Sequence, residues 1–431
     1  MDNKNVIRAA LLGAGTVGSG VYALSGMLAD EMVQKTGGSL EIKKVLVRDI
    51  SKKRDGIPAE VLTDNWKEIL EDEEIQLVIE VMGGIEPAKT YITEAILAGK
   101  QVVSANKDLL ADYGQELLRL AEDHGVDLQF EAAVAGAIPI IRPLKQSMSA
   151  SMLTEIMGIV NGTTNYILTK MTEEGMGYKE ALKKATELGY AEADPTSDVE
   201  GYDAGRKMAI LASLAYNSEV VFSDVYTEGI TNLTAEDVYY ASEFDYVIKL
   251  IGMARIDDGK LEVKVHPLLI PNHHPLASVR DSFNAVFVHG EASDDAMFMG
   301  RGAGKMPTAS AVMGDAITVL RNILHDNCGW NGGIAYKKLP IKPIGETKSR
   351  FFLRLLVSEK PGSLANIASV LGNNDVSIDQ VVSKHTVKGA SELVIITGSV
   401  LEQDFNNAMA ILKGTSVVKE VCGVIRVYCE S

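Results

Sequence analysis

The run Val6-Ile7-Arg8-Ala9-Ala10-Leu11-Leu12, followed at once by Gly13-Ala14-Gly15-Thr16-Val17-Gly18, decides how this chain folds. A short apolar run reads as a buried strand, and the glycines after it mark a tight turn. In a GxGxxG turn the first glycine permits the bend, the second lets backbone N–H groups approach a pyrophosphate, and the third lets helix pack on strand. The helix N-terminus adds a favourable field for the anion. An ordinary glycine turn is the plain alternative, but the strand before the motif and the helix after it favour dinucleotide binding.

Working outward, the helix extends to about residue 32 and a second apolar run covers 42–47, ending at Arg48-Asp49. Residues 77–82 form another buried-strand candidate, halted by Gly83-Gly84. Pro87 suits a first helical turn and Gly99 a helix C-terminus. A strand at 101–105 leads into Asn106-Lys107, a helix over 108–124 stops at Gly125, and 127–134 reads as the next strand. Continuous apolar strands alternating with helices imply a parallel sheet covered on both faces. Residues 1–135 are therefore expected to form a doubly wound, Rossmann-type nucleotide-binding domain. An acid ending the second strand would take the ribose diol of NAD, whereas an arginine accommodates the extra phosphate of NADP. Arg48, with Lys52, Lys53 and Arg54 behind it, favours NADP and leaves NAD open, because such a basic cluster also suits a solvated loop.

Beyond this domain the pattern changes. A strand at 153–160 and a turn at 161–165 precede helices at 164–173, 178–188 and 198–215. Apolar runs at 247–256, 261–270, 285–288 and 296–299, punctuated by Gly259, Pro271 and Gly290, predict antiparallel strands with helices on one face. The loop Gly300-Arg301-Gly302-Ala303-Gly304 feeds a helix through about 308–324, and the helical segment within about 305–335 is expected to pack back on the nucleotide domain. These features define a mixed α+β substrate and dimerisation domain over 136–338. The proline-rich stretch 339–349 reads as a linker. From 350 to 431 the order is strand 350–357, helix 362–373, strands 376–385 and 391–398, helix 403–413 and strand 417–428, a βαββαβ unit of the ferredoxin-like kind.

The composition narrows the function. A formal net charge of −16 over 431 residues argues against a protein that tracks nucleic-acid phosphates. Residues 350–431 carry eight basic and eight acidic side chains, so the whole acidic excess lies in 1–349, part of it between Glu187 and Asp203. The cysteines Cys328, Cys422 and Cys429 give no disulfide framework and no zinc pattern; the last two read as sharing one strand and pointing to opposite faces. No apolar run approaches the ~20 residues that span a bilayer, and the N-terminus lacks a secretory pattern. A reducing, cytoplasmic setting is expected.

An enzyme that moves a hydride to a carbonyl must also supply a proton and stabilise the alkoxide. Lys107, just past a strand's C-terminal end, is placed for this, although a surface lysine is the plain reading. The stretch from Tyr190 to Lys207 is denser in such groups. With a helix beginning near Asp198, Asp203 and Lys207 fall four apart on one face, either as a solvated ion pair or as groups that grip a substrate amine and orient a lysine.

The residues Gly13 to Gly18, Ala105-Asn106-Lys107, Gly158 to Leu168, Glu192 to Lys207, and Gly302-Ala303-Gly304 with Pro307-Thr308-Ala309 together resemble the homoserine dehydrogenase family. The tail, with Pro361-Gly362-Ser363-Leu364 at its first strand–helix turn, resembles an ACT domain, a small-ligand regulatory unit. The resemblance implies reversible NAD(P)-dependent interconversion of L-homoserine and L-aspartate 4-semialdehyde, towards threonine, methionine and isoleucine. It implies that Lys107 and Lys207 lie near the reacting oxygen, with Lys207 favoured for proton transfer. Glu192 and Asp203, with Asp198 near them, would bind homoserine. Gly13, Gly15, Thr16, Val17, Gly18, Arg48, Ser104, Lys107 and Gly304 would touch the nucleotide. A monovalent cation, sodium in kind, would sit at Glu131, Val134, Gly136 and Ile138. The tail would bind an amino-acid effector such as L-threonine near Gly362. A homodimer through the middle sheet, or a homotetramer linked by the tails, is expected; a fused aspartate kinase is not.

Three other readings compete, and the homoserine motifs argue against the first, a reductase for another small aldehyde or ketone. An aldehyde-oxidising dehydrogenase needs a nucleophilic cysteine, and Cys328 has no evident basic partner. A non-catalytic sensor of nucleotide and amino acid sits poorly with intact Lys107, Asp203 and Lys207.

Overall fold

The structure is a computed structural model describing residues 5–386 and 390–429. Residues 1–4, part of the stretch read above for a leader, lie outside the described residues. The chain divides into two units. The first comprises Met1–Ile156, Arg206–Val225 and Asn284–Lys338, and the second Met157–Gly205, Tyr226–Phe283 and Leu339–Ser431.

The first unit opens with β1 (Val6–Leu12), α1 (Thr16–Met27), α2 (Ala29–Thr36) and β2 (Ser39–Leu46). The single helix expected to residue 32 is thus two, broken at Leu28. Next come β3 (Leu62–Thr63), α3 (Trp66–Leu70), β4 (Ile75–Glu80), α4 (Ala88–Leu97), β5 (Gln101–Ser104), α5 (Lys107–Asp123) and β6 (Leu128–Gln129). All six strands are parallel, in the order β3-β2-β1-β4-β5-β6. The order reverses between β1 and β4, and the glycine turn leaves β1 at that switch point, where such sheets hold their ligands. Ala9 to Leu12 are fully buried, as a strand covered on both faces requires. The strand expected over 127–134 shrinks to β6. Glu131 turns the chain into a 3₁₀ segment, Glu131–Ala133, because its carboxylate folds back to accept N–H groups from Ile140, Ile141 and Arg142.

The chain continues through β7 (Leu153–Ile159), α6 (Gly162–Glu174), α7 (Tyr178–Glu187), α8 (Thr196–Val199) and α9 (Tyr202–Tyr216). The one helix expected over 198–215 is therefore split: Gly201 adopts φ +83°, which ends α8 and restarts the helix at Tyr202. After β8 (Tyr226–Thr227) and α10 (Ala235–Glu243), β9 (Tyr246–Asp257) and β10 (Lys260–Pro271) form a long hairpin. Its two-residue turn, Asp258 and Gly259, has both φ values positive, matching the twist of the strands. In the first unit β11 (Phe283–Gly290) and β12 (Asp294–Arg301) precede α11 (Lys305–Leu324). That helix starts a little before 308 and ends at Leu324, as its pattern implies; Asp326, Gly329, Gly332 and Gly333 then take left-handed conformations a helix cannot use, so it does not run on to residue 335. Ala309, Val312, Met313, Ala316, Val319 and Leu320 of α11 join the core of the parallel sheet.

The remaining elements, all in the second unit, are β13 (Lys348–Ser358), α12 (Ser363–Gly372), β14 (Ile378–Thr386), β15 (Ala390–Thr397), β16 (Val400–Leu401), α13 (Glu402–Lys413) and β17 (Val418–Val427). The βαββαβ order gives a sheet in the order β17-β13-β15-β14, antiparallel throughout, with α12 and α13 over a core that includes Phe351, Leu353, Ile395 and Phe405. This sheet continues into the β9–β10 hairpin, because β17 pairs in parallel with β10 at Leu268↔Arg426 and Leu269↔Val427. Cys429 lies past the end of β17, so it does not share a strand with Cys422; all three cysteines are free. Among the described residues, no helix is long and apolar enough to cross a membrane.

Candidate active site

The glycine turn is shaped by contacts that leave no room for side chains. A Cβ on Gly18 would lie 2.0 Å from the Gly13 carbonyl oxygen, and one on Gly13 would press on the Val81 carbonyl at 3.1 Å. Around Gly15, in contrast, the space is open, and as N-cap of α1 it offers no side-chain cap to the first-turn amides. An anion can take those donors. A cavity of about 400 Å³ lies here, lined by Gly13, Gly15, Arg48, Arg54, Val81 and Tyr91 among others. Thr16 and Val17 open the helix beside it.

Two details bear on the nucleotide's ribose. Asp49 is committed elsewhere: Oδ1 accepts from Ser51 N (2.9 Å) and Ser51 Oγ (2.6 Å), which hold its carboxyl below the usual carboxylate range. Arg54 Nε, at the cavity wall, is buried without a hydrogen-bond partner among the described residues. A second helix start adjoins the first. Gly20 of α1 has no space for a Cβ against Lys305 O (2.8 Å) and Ala309, which brings α11 close, with Gly304 at its N-cap and φ +130°.

Lys107 is the first residue of α5, at the C-terminal end of β5. A buried network fixes that turn. Glu80, fully buried, accepts from Met82 N (2.8 Å), Gly83 N (3.2 Å) and Ser104 Oγ (2.6 Å). Burial pushes its carboxyl above the usual range, partly offset by those donors. Asn106 caps α5 through Leu109 N (3.2 Å) and donates to Gly84 O (2.6 Å). The Ser104 hydroxyl is thus spent on Glu80 rather than presented outward. Asp108, next to Lys107, pairs with Arg206, next to Lys207, at 3.1 Å. Sequence reasoning missed Glu80, whose place at a strand end carried no mark of its burial.

In the second unit the carboxylates expected to hold substrate meet at Asn161. Its Oδ1 caps α6 by accepting from Thr164 N (2.9 Å), and its Nδ2 donates to Asp198 Oδ1 (2.7 Å) and Asp203 Oδ2 (2.8 Å). One amide therefore joins two carboxylates drawn from α8 and α9. Asp203 is buried and Asp198 half-buried, whereas Glu192 is exposed and has no hydrogen bond or ion pair among the described residues. Helical spacing sets Asp203 and Lys207 one turn apart on α9. The sequence marked Asn161 as a turn residue; nothing in the pattern showed its reach to residue 198.

The loop after β6 holds the expected cation ligands. Glu131 is buried, its oxygens accepting from the N–H groups of Ile140 (2.6 Å), Ile141 (2.8 Å) and Arg142 (2.8 Å). Ala135 and Gly136 are both left-handed, and Gly136 lies against Gly302, where a Cβ would meet Gly302 O at 2.4 Å. Beneath Gly302, both amide atoms of Asn284 are buried without partners among the described residues. Burial pushes Asp315, which accepts from Glu131 N, up to about 7, and pushes Lys145 down to about 8. No group of three His, Cys, Asp or Glu side chains placed to hold a metal occurs among the described residues.

A doubly wound parallel sheet, with a glycine cradle at its switch point and a lysine set at a strand's C-terminal end, defines an NAD(P)-dependent oxidoreductase. Residues 13–131 match the family model described as "Homoserine dehydrogenase, NAD binding domain", and residues 139–317 match that described as "Homoserine dehydrogenase". The homoserine dehydrogenase of Bacillus subtilis is 46% identical over 98% of each chain. A crystal structure of a homoserine dehydrogenase from Thiobacillus denitrificans superposes with a TM-score of 0.92 at 39% identity, over 98% of each chain. A hyperthermophilic archaeal homoserine dehydrogenase in complex with NADPH aligns at a TM-score of 0.62 and 26% identity, covering 73% of this chain and 97% of that one. The chain belongs to the homoserine dehydrogenase family. Its reaction is the reversible NAD(P)-dependent reduction of L-aspartate 4-semialdehyde to L-homoserine, in the biosynthesis of threonine, methionine and isoleucine.

Proposed function

We propose that Lys207 is the proton-transfer residue of this reaction and that Asp203, one turn before it on α9, holds the substrate ammonium. The observation that carries this is the Asn161 amide, which draws Asp198 and Asp203 together at the start of the helix bearing Lys207. The bound nicotinamide nucleotide supplies and removes the hydride. In reduction, Lys207 Nζ gives its proton to the oxygen that becomes the homoserine hydroxyl; in oxidation it takes that proton back. Lys107 Nζ adds positive charge beside the same oxygen, and the Glu80 and Asn106 hydrogen bonds hold its turn still. Glu192, exposed in this structure, and Asp198 complete the substrate-binding carboxylates.

The nucleotide fits the cradle formed by Gly13, Gly15, Thr16, Val17 and Gly18, with Lys107 and Gly304 in the same role; Ser104 is fully buried and gives its hydroxyl to Glu80, so it shapes the turn instead of touching the nucleotide. NADP is the favoured cofactor: Arg48 and Arg54 line the cavity, Arg54 has an unused buried Nε, and Asp49 is turned to Ser51 instead of to a ribose diol. A sodium ion suits the loop at Glu131, Val134, Gly136 and Ile138, whose donors are one carboxylate and backbone carbonyls, all hard oxygens. A single carboxylate favours a monovalent over a divalent ion.

Residues 350–431 serve as an ACT domain after a linker at 339–349, with the catalytic domain over 136–338 and the nucleotide domain over 1–135. The βαββαβ order and the left-handed Gly362 at the start of α12 support this reading. Its effector is an amino acid such as L-threonine, and the enzyme acts in the cytoplasm as a homodimer or homotetramer. The test follows reduced nicotinamide by absorbance during L-homoserine oxidation in sodium buffer. Faster turnover with NADP than NAD, and inhibition by L-threonine that disappears on deleting residues 346–431, are expected. Turnover with NAD alone would overturn the cofactor assignment, and kinetics blind to threonine would overturn the effector.

A further inference from the structure

Arg426 of β17 is buried and divides its guanidinium between two carboxylates. Its Nε (2.6 Å) and one terminal nitrogen (2.7 Å) grip both oxygens of Glu402, the forked geometry that fixes a pair most firmly. Its other terminal nitrogen reaches Glu228 Oε2 at 2.6 Å, and the Tyr226 hydroxyl donates to the same oxygen at 3.2 Å. Glu228 itself is half-buried. It directly follows β8, a two-residue strand that pairs in parallel with β10 at Lys264↔Tyr226 and Val265↔Thr227 and is extended by Glu228 N donating to Val265 O (2.8 Å). So short a ladder leaves much of the segment's placement to its side chains, and Arg426, locked to Glu402, is their anchor.

The residues after Glu228 press on the backbone that carries the substrate carboxylates. Gly229 has no room for a Cβ against Val199 O and Glu200 Cα, and Ile230 N donates to Val199 O (2.8 Å). Gly201, the left-handed pivot between α8 and α9, lies against Glu228 O and donates its N–H to Asp198 O (3.1 Å). Asp198 stands immediately before the stretch Val199-Glu200-Gly201, and Asp203 two residues beyond it. Their carboxylates meet on the Asn161 amide at 2.7 and 2.8 Å. Such bonds hold between about 2.7 and 3.2 Å, so a small shift of the α8–α9 turn breaks the join.

We infer that Glu228, held by Arg426, is a positioning residue for substrate binding, a role that rests on the reading of Asp198 and Asp203 as substrate ligands. The ion pair fixes segment 226–230 against the α8–α9 turn and so sets where those two carboxylates stand. Glu228 touches no substrate and acts through the backbone of Gly229 and Ile230. Its loss therefore weakens the hold on L-homoserine and leaves the chemical step alone. The glycine cradle on β1 and α1 shares none of these residues, so nucleotide binding is not affected.

Steady-state oxidation of L-homoserine by full-length Glu228→Ala, Glu228→Gln and Asp203→Asn tests it, with NADP affinity measured by calorimetry. Glu402 still holds Arg426 in both Glu228 variants, so β17 keeps its anchor. Glu228→Ala should raise KM for L-homoserine by about threefold to thirtyfold, the range for residues that act on a site through packed neighbours. Its kcat and NADP affinity should stay near parental, the signature of lost ground-state binding. Glu228→Gln keeps an oxygen for Arg426 and for the Tyr226 hydroxyl, so its KM should fall between those of Glu228→Ala and the parent. A merely structural contact would lower unfolding stability without this order in KM. KM raised by Asp203→Asn but not by Glu228→Ala would overturn the positioning role alone. KM unmoved by Asp203→Asn would overturn the substrate role of the carboxylates, and this one with it. A Glu228→Ala enzyme that loses kcat and NADP affinity as much as it gains in KM would also overturn it.

Discussion

Replacing Asn161 with aspartate tests whether its amide is what joins Asp198 and Asp203. The substitution is isosteric and spares the helix cap, since aspartate accepts from Thr164 N as well as asparagine does. It removes two donors, to Asp198 Oδ1 at 2.7 Å and to Asp203 Oδ2 at 2.8 Å. Each such bond to a charged group contributes about 1.5–3 kcal/mol. A third carboxylate at those distances would repel each neighbour by about 6 kcal/mol at an effective dielectric of ~20, so the three cannot all ionise. One proton stays in the cluster and restores one bond, leaving a deficit of about 2 kcal/mol at acid pH. At pH 7 holding that proton, some three units above an ordinary carboxyl pKa, adds up to about 4 kcal/mol. The pKa in the folded variant is raised, so its stabilising contribution is full below the unfolded carboxyl pKa and lost as pH rises towards neutrality. Denaturant unfolding of both proteins at pH 5 and pH 7 should show a deficit that grows with pH, alongside a higher KM for L-homoserine. A variant as stable as the parent at pH 7, or a deficit equal at both pH values, would refute the joining role.

Gly18→Ala places a methyl 2.0 Å from the Gly13 carbonyl, so the cradle must deform. NADP affinity by calorimetry should fall by about a hundredfold or more, and near-parental affinity would contradict the proposed close packing of the turn. Lys249, buried with Nζ donating to Asn165 Oδ1 (3.0 Å) and Val279 O (2.5 Å), has its pKa pushed by burial down to about 8. Its unfolded value is about 10.4, so between these pH values the unfolded chain binds more protons and stability rises with pH. Lys249→Met should remove this rise, measured as the difference in unfolding free energy between pH 8 and pH 10; an unchanged pH dependence would contradict it.

The parallel sheet was legible because its strands are continuous apolar runs and its ligand turn is written in local glycines. Helix breaks were less so: Leu28 carries no breaking signal, and Gly201 reads as one more residue in a helical window although it takes φ +83°. The truncation of β6 was invisible because it depends on Glu131 reaching residues 140–142, a demand no short window contains. Among the proposed site residues, Lys107, Asp203 and Lys207 stood out by type and spacing. Glu80 and Asn161 did not, since their roles depend on partners 24 and 37 residues away. Glu192 shows the converse, a carboxylate that the family resemblance placed with the others and the fold leaves exposed.

The proton-transfer role of Lys207 is tested most directly by steady-state oxidation of L-homoserine by Lys207→Ala and Lys107→Ala beside the parent enzyme. Loss of a general acid–base group lowers turnover by about 10²–10⁴-fold. Lys207→Ala should fall in that range in kcat with nucleotide affinity retained, and Lys107→Ala should fall less. Near-parental turnover by Lys207→Ala would contradict the account, and the proton would then have to travel through another group.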